Sequence, residues 1–248
     1  MTIDIAYDLR TDAGGGDPDR YSPTLRRYHR LLWSKPLPSG ASFDLSDGTP
    51  GVYLHHRSEL GEFFLTSDSV MQTFTKWAKL QPITEQLPES ENEAFRTIAY
   101  TIGAMIVFPG NQIERRPTIN AAKGLNWSTI ADRLDLTLEC IRRHYMDPDS
   151  HDRKVSPLAA TLSRYKKFFE LFGDFRGYVS FFLLDDLITD DYSVKFFTPF
   201  RDASPSTDWD ARFPPPTYPT DVDTYKEYRR SSIEFIEARN HRIEQLGL

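Results

Sequence analysis

The chain has 248 residues, of which 39% are hydrophobic and 13% aromatic, and its formal net charge is −6. This length is enough for one domain with a substantial core, and the 17 Phe and 12 Tyr should supply much of the buried surface. The acidic balance excludes a wholly basic nucleic-acid coat but not a local basic patch. Cys140 is the only cysteine, which excludes an intrachain disulfide and a zinc site built on cysteines.

The N-terminus has acidic residues where a signal peptide needs positive charge followed by an apolar run. No stretch approaches 18 consecutive apolar residues. We therefore expect a cytoplasmic protein that does not enter a membrane.

The first half of the chain predicts a mixture of helices and strands. Three successive glycines and several aspartates make residues 11–20 a loop, and a Ser-Pro pair then opens a helix over 22–33. Short β-prone runs separated by Gly and Pro predict a hairpin or meander within 42–66. Helical spacing returns over 68–79 and 91–106.

The second half predicts helices with large apolar faces. The clearest covers 127–145, and another covers 156–172. The nearly continuous apolar run 178–188 is too long for a typical strand and indicates a buried helix.

The end of the chain contains a proline-rich segment followed by a helix. Residues 194–197 are compatible with a strand, and the six prolines of 199–219 favour an extended surface wrap. A helix over 221–246 closes the chain. The sequence thus predicts one α+β domain, 1–248, that is mainly α, with a helical core and a small antiparallel hairpin or meander.

The helix predicted over 127–145 carries a polar stripe between apolar residues. The polar stripe consists of Asp132, Asp135, Glu139, Arg142 and Arg143. Asp135 and Glu139 are four residues apart and repel each other unless a cation or a shared proton lies between them. One interpretation is therefore a catalytic acid–base pair, with Arg142, Arg143 or His144 holding an anionic substrate.

Other interpretations of the polar stripe remain open. Charged groups between apolar faces also form structural ion-pair networks. A hydrated magnesium ion held by Asp135 with Asp185 or Asp186 would need no histidine. Cys140 lies among apolar neighbours on the same helix, so we expect a packing residue and not a nucleophile.

Two basic clusters are candidates for phosphate binding. Residues 20–35 contain arginines and a lysine interleaved with aromatic rings, which suits phosphate and base contacts, although a basic helix docked on an acidic protein has the same composition. We expect His29 in this segment to be a surface or hydrogen-bonded side chain. The loop before the polar-striped helix is also basic. The candidate ligand-binding residues are Arg26, Arg27, Lys35, Arg116, Asn120 and Arg133.

Four segments resemble an uncharacterised bacterial family of unknown function. They are residues 21–29 (YSPTLRRYH), 32–38 (LWSKPLP), 132–145 (DRLDLTLECIRRHY) and 173–184 (GDFRGYVSFFLL). The resemblance extends from about residue 4 to residue 243, and it implies no activity.

The sequence leaves two functional hypotheses. In the first, the protein is an enzyme or binding protein for a phosphate-containing ligand, a nucleotide or nucleic acid, with Asp135 and Glu139 as acid and base. In the second, it is a non-catalytic interaction module whose proline-rich segment and residues such as Trp33 or Trp209 contact a partner protein, and the polar stripe is structural.

Overall fold

The computed structural model describes residues 2–47, 53–198, 209 and 216–248. The architecture is α+β and mainly helical, as predicted. The helices are α1 (Pro18–Tyr21), α2 (Pro23–Trp33), α3 (Gln81–Thr84), α4 (Glu89–Ala99), α5 (Ile119–Leu125), α6 (Leu134–Met146), α7 (Ala159–Arg164), α8 (Lys166–Glu170), α9 (Phe175–Phe181) and α10 (Val222–Gln245). Short 3-10 helices cover Ile102–Ala104 and Asp185–Leu187. Within the described ranges, no helix combines the length and apolarity needed to span a bilayer.

The strands form two small antiparallel sheets. Strands β1 (Lys35–Pro36) and β2 (Ser42–Phe43) pair with each other, while β3 (Leu54–Ser58), β4 (Gly61–Ser69) and β5 (Met105–Pro109) form a three-stranded sheet in that order. The hairpin predicted within 42–66 is therefore confirmed as β3 and β4. The central strand β4 pairs Asp68 with Ile106 of β5, and this register fixes the position of the Asp68 carboxylate.

The helices over 22–33 and 221–246 are confirmed as α2 and α10 because both have strong start signals. The Ser22 hydroxyl accepts from the backbone N–H of Leu25, and Pro23 occupies the first turn. Asp221 and Thr224 form a reciprocal capping box at the start of α10. The predicted loop 11–20 is helical from Pro18 onward, where α1 begins.

Two helices predicted in the first half are wrong or too long. The segment 68–79 is not helical, because β4 continues to Ser69 and the backbone of Phe74 has a φ of 60°. Helix α4 ends at Ala99, and the apolar residues from Met105 onward pair with β4 as β5. A short apolar run fits a buried strand as well as a helix, so periodicity did not separate them.

The second-half helices are also shorter than their apolar patterns. Helix α6 begins at Leu134 and not at residue 127, and the predicted 156–172 helix is divided into α7 and α8. In the 178–188 run the α-helix ends at Phe181, because Leu183 has a φ of 56°, and only the short 3-10 helix Asp185–Leu187 follows. Val194 makes a single bridge to Ile188 in place of the predicted strand 194–197.

The proline-rich segment 199–219 lies mostly outside the described residues. Of its described residues, Trp209 donates its indole N–H to the carbonyl of Thr129 at 3.1 Å. Thr217 is buried and donates its hydroxyl to the carbonyl of Trp127 at 2.9 Å. These bonds connect the segment to the turn before α6.

A buried arginine joins α10 to the sheet. Arg239 is fully buried and donates to the carbonyls of Gly103 and Met105 at 2.9 and 2.7 Å, and to that of Phe182 at 3.0 Å. Carbonyls at the ends of a 3-10 helix and of α9 are thereby satisfied. Arg239 thus positions β5, and through β5 the neighbouring strand β4.

Candidate functional site

Asp135 of the polar stripe forms a buried ion pair with the neighbouring Arg133. Arg133 and Asp135 are both fully buried, and two guanidinium nitrogens of Arg133 bind the two carboxylate oxygens of Asp135. Arg133 also donates to the Thr198 hydroxyl and the Thr217 carbonyl at 3.0 and 2.8 Å. Asp135 accepts the backbone N–H of Phe197 at 2.8 Å. Both charges are therefore fully engaged by the protein.

The second half of the stripe is also paired. Glu139 accepts from Arg142 at 2.7 and 2.9 Å and from Arg143 at 2.7 Å. Arg143 additionally donates to the Val155 carbonyl at 2.8 Å and lies 4.7 Å from the centre of the Trp209 ring. The expected repulsion between Asp135 and Glu139 is thus compensated by three arginines of the same segment.

His144, proposed to hold an anionic substrate, and Asp186, proposed to bind magnesium, also have partners within the protein. His144 is buried against Phe169, and burial, with a contribution from Lys166, lowers its pKa to about 4. Both oxygens of Asp186 bind Arg242, so Asp135 and Asp186 do not share a free face for magnesium. Across the described ranges, no three His, Cys, Asp or Glu side chains are arranged to hold a metal ion.

The predicted ligand-binding residues do not form one cluster. Lys35 donates to the carbonyl of Phe181 at 2.6 Å, and Arg27 lies over the Tyr28 ring at 5.2 Å. Arg116 is exposed. Arg26 and Asn120, by contrast, line one large cleft that contains none of the residues proposed as catalytic.

This polar cleft has a volume of about 960 Å³, at the upper end of the range for small-molecule sites. It lies where α1, β4, the start of α5 and the turn before α6 meet. Its charged lining residues are Asp17, Asp19, Asp68, Asp132, Arg20 and Arg26. Its other lining residues include Tyr53, Thr66, Ser67, Ser69, Gln72, Thr73, Tyr100, Thr118 and Asn120.

A buried lysine connects two of these carboxylates. Lys123 of α5 is fully buried, and its ammonium group binds Asp68 of β4 and lies 3.2 Å from Asp132. Burial opposes the charge of Lys123, but the two carboxylates outweigh burial and raise its pKa above the ordinary value. Asp132 also accepts from the side-chain amide of Gln72 at 2.6 Å. This part of the cleft wall is therefore a fixed, charged structure.

The backbone is strained where Asp132 enters the cleft. Ala131 and Asp132 have φ values of 49° and 55°, and neither residue is glycine. Left-handed backbone costs about 1–3 kcal/mol at such positions and persists when surrounding contacts impose it. Here the strain ends the turn before α6 and turns Asp132 away from the polar stripe, toward Lys123.

Like Asp68, Asp19 of α1 has a pKa that burial raises from the ordinary carboxylate value toward neutral pH. Burial raises its pKa to about 6, and the nearby Asp17 and Asp132 charges act in the same direction. The Ser67 hydroxyl and the Lys123 ammonium act in the opposite direction. Asp19 is therefore partly protonated near neutral pH, which is the property that acid–base chemistry needs.

A hydrogen-bonded histidine orients Ser67 behind Asp19. The indole N–H of Trp33 donates to Nδ1 of His29 at 2.9 Å, and Nε2 of His29 lies 3.0 Å from the Ser67 hydroxyl. An indole nitrogen only donates, so Nδ1 is the acceptor and Nε2 carries the proton. Burial lowers the pKa of His29 to about 3. His29 therefore donates to Ser67 and does not act as its base, in agreement with the expected hydrogen-bonded role.

Buried polar atoms of Asp19, Asn120 and Tyr53 on the cleft lining have no hydrogen-bond partner among the described residues. They are Oδ1 of Asp19, Oδ1 of Asn120 and the phenol oxygen of Tyr53. Tyr53 is only 6% exposed, and Asn120 is held through its amide nitrogen by the Ser67 carbonyl at 3.0 Å. Buried polar atoms in native proteins are nearly always paired, so these atoms are positions at which water or a ligand completes the hydrogen bonding.

Sequence reasoning found the parts of this cleft but not their association. The sequence places Lys123 and Asn120 in or beside the basic loop, Asp132 in the polar stripe, and Asp17 and Asp19 in the predicted loop 11–20. Tyr53 and Asp68 carried no signal, because each lies in a segment that reads only as strand or helix. The association depends on contacts between α1, β4 and α5, which are distant in sequence.

The fold is α+β and mainly helical, and it contains a large polar cleft. Residues 3–243 match the family of unknown function DUF6994, and the chain belongs to that family. No curated protein and no solved structure matches the chain.

Proposed function

We propose that this protein binds a small phosphate-containing ligand in the polar cleft. The observation that carries the proposal is the set of three unpaired buried atoms on the cleft lining, Oδ1 of Asp19, Oδ1 of Asn120 and the phenol oxygen of Tyr53. The proposal places the ligand near Asp132 but away from the other members of the polar stripe, whose charges are engaged within the protein. They are Asp135, Glu139, Arg142 and Arg143.

The unpaired atoms specify which groups the ligand presents. An amide oxygen only accepts hydrogen bonds, and an ionised carboxylate does the same. The ligand therefore supplies donors, which in a small metabolite are hydroxyl or amino groups. Tyr53 both donates and accepts, so it suits a hydroxyl group.

The cations of the cleft support a phosphate group on the same ligand. Arg20 and Arg26 both line the cleft, and Arg20 is exposed and has no ion pair within the described residues. Guanidinium groups bind phosphate oxygens in pairs of hydrogen bonds. A phosphorylated polyol or a nucleotide carries both the donors and the phosphate.

Tyr53→Phe tests the proposal because it removes only the unpaired oxygen. A thermal-shift screen and titration calorimetry would use sugar phosphates, amino-sugar phosphates and nucleoside monophosphates, with ribose and inorganic phosphate as partial ligands. We expect a phosphorylated ligand to stabilise the wild type and to bind Tyr53→Phe roughly fivefold more weakly, as for one neutral hydrogen bond.

Tyr178→Phe is the matched control. The phenol oxygen of Tyr178 is also buried and unpaired, but Tyr178 packs among Phe169, Phe172 and Phe182 and does not line the cleft. Both variants should keep or slightly raise the melting temperature, and only Tyr53→Phe should weaken binding. Equal affinities in the two variants, or no binding by any phosphorylated compound, would contradict the proposal.

The second candidate is the non-catalytic interaction module. The fully paired polar stripe favours it, because a structural ion-pair network is what that hypothesis requires. Trp33 does not serve as its contact residue, since Trp33 is fully buried and donates to His29. A pull-down with the wild type and a Trp209→Ala variant tests it, and the candidate requires a partner that the variant loses.

A further inference from the structure

A second cavity, rich in aromatic rings, adjoins the polar cleft. It has a volume of about 480 Å³ and shares Gln72, Thr73 and Tyr100 with the cleft lining. Its other lining residues are Arg10, Phe74, Lys76, Trp77, Arg96 and Trp127. We call it the aromatic cavity, and because it shares a wall with the polar cleft, one ligand can occupy both.

Two tryptophans give this cavity its chemical character. The rings of Trp77 and Trp127 have centres 4.3 Å apart and are inclined at 40°, and both side chains are only half-buried. Trp77 is also packed by Tyr218, with ring centres 5.1 Å apart. Inclined rings do not cover each other's faces completely, so the π surface available to a flat ring is mainly that of Trp127. Among the described residues, neither indole N–H donates to a protein atom, whereas Trp33 and Trp209 both do. Both donors are therefore available to acceptors of a ligand.

Backbone strain also marks this cavity. Phe74 has a φ of 60° and lines the cavity between Gln72 and Trp77 in sequence. Its ring packs at 6.1 Å from Trp77 and at 5.1 Å from Tyr228 of α10. The strained turn thus brings Trp77 out of the core and against Trp127, where a regular helix over 68–79 would not.

The arginines of the cavity are compensated by carboxylates of the protein. Arg10 binds Asp8 and Glu93, and Arg96 binds Glu89 and Glu93. Lys76 is exposed with no ion pair in the described part of the chain. Arg10 lies 5.1 Å from the centre of the Tyr100 ring on the shared wall. Among the residues that the structure describes, no carboxylate lines this cavity, in contrast to the four that line the polar cleft.

We infer that the aromatic cavity binds the base of a nucleotide whose sugar hydroxyls and phosphate lie in the polar cleft. The inference rests on the proposed function and specifies its ligand class. A heteroaromatic base has the flat π surface that the tryptophans accept and the ring acceptors that their N–H groups require. A sugar phosphate without a base would leave the cavity unused.

The test compares ligands with and without the base. Calorimetric titrations would use the 5′-monophosphates of adenosine, guanosine, cytidine and uridine beside ribose 5-phosphate, on the wild type and on Trp127→Leu and Trp127→Phe. Stacking on one ring corresponds to roughly a 5- to 100-fold gain in affinity. We expect at least one nucleotide to bind that much more tightly than ribose 5-phosphate.

The variants separate stacking from general damage. Trp127→Leu should remove most of the difference in affinity between the nucleotide and ribose 5-phosphate. It should leave the affinity for ribose 5-phosphate unchanged. Trp127→Phe should restore part of the affinity for the nucleotide. Circular dichroism and the melting temperature check that both variants are folded.

Two outcomes would overturn the inference in different ways. If ribose 5-phosphate binds as tightly as every nucleotide, the cavity does not bind a base, and the proposed function stands without it. If neither kind of compound binds, both the inference and the proposed function fail for these ligands.

Discussion

The polar stripe and the polar cleft are both rich in charged groups, but they satisfy those groups differently. In the stripe, Asp135 and Glu139 are each bound by arginines of the same segment. In the cleft, Lys123 binds two carboxylates, yet atoms of Asp19 and Tyr53 remain unpaired. A buried charge with all its partners in the protein supports the fold, whereas the atoms that have no partner among the described residues are the ones that we propose contact a ligand.

The strongest test of this contrast is Arg133→Met, which leaves Asp135 as a buried, unpaired charge. We expect the free energy of unfolding to fall by about 3–5 kcal/mol, measured by denaturant titration. The double variant Arg133→Met/Asp135→Leu should recover most of the loss, because no uncompensated charge remains. A loss below about 1 kcal/mol in the single variant would mean that the pair is not buried as described.

For Asp19→Asn in the cleft, we expect the free energy of unfolding to rise instead of fall. The pKa of Asp19 is raised from its ordinary 3.8 to about 6, so the folded protein binds the proton more tightly than the unfolded chain. The contribution of Asp19 to wild-type stability therefore decreases as the pH rises from about 4 to 6 and stays reduced above that. At pH 7 the variant should be more stable than the wild type by up to about 3 kcal/mol.

The pH dependence provides the control for Asp19. The stability difference between variant and wild type should vanish below pH 4, where both forms are neutral at this position. Unfolding titrations at several pH values measure it. A variant that is less stable than the wild type at pH 7 would show that Asp19 already has a stabilising partner in the protein.

For Glu139→Gln we expect a smaller loss of stability than for Arg133→Met. The change removes the negative charge shared by Arg142 and Arg143, and we expect a loss of about 1–3 kcal/mol in unfolding free energy. Ligand-induced thermal shifts should be unchanged, since Glu139 does not line the cleft. An unaltered melting temperature together with a lost ligand response would move the functional site back to the stripe.

The least perturbing test is labelling of Cys140, which needs no mutation. Cys140 lies on α6 beside the stripe, is fully buried, and has a pKa that burial raises to about 12. A thiol reagent should therefore not react with the native protein and should react completely in denaturant. Rapid native labelling would show that α6 opens, contrary to the closed network described for the stripe.

The fold was predictable where local signals agree. Ser22 and Pro23 start α2, and Asp221 with Thr224 starts α10, because capping bonds form within a few residues. The helix expected over 68–79 was wrong because Asp68 pairs with Ile106 of a strand distant in sequence. Tertiary pairing overrides a helical pattern that is only a weak preference.

The candidate site was only partly predictable for the same reason. Asn120 and Arg26 were expected to bind a ligand and do line the cleft, but Asp135 and Glu139 do not. A helical wheel shows that charges share a face, and it does not show which partners fill that face. The arginine that closes the Asp135 pair, Arg133, was itself assigned to the ligand.

The class of the fold, the ends of α2 and α10, and the presence of charged groups between apolar faces could be predicted from the sequence. These properties depend on composition, periodicity and capping, which act over a few residues. The tertiary structure alone decided that Asp19, Asp68 and Lys123 meet and that Trp77 lies against Trp127. These contacts form only when segments far apart in the chain pack together. The role of a buried charge or ring therefore depends on its neighbours in the folded protein.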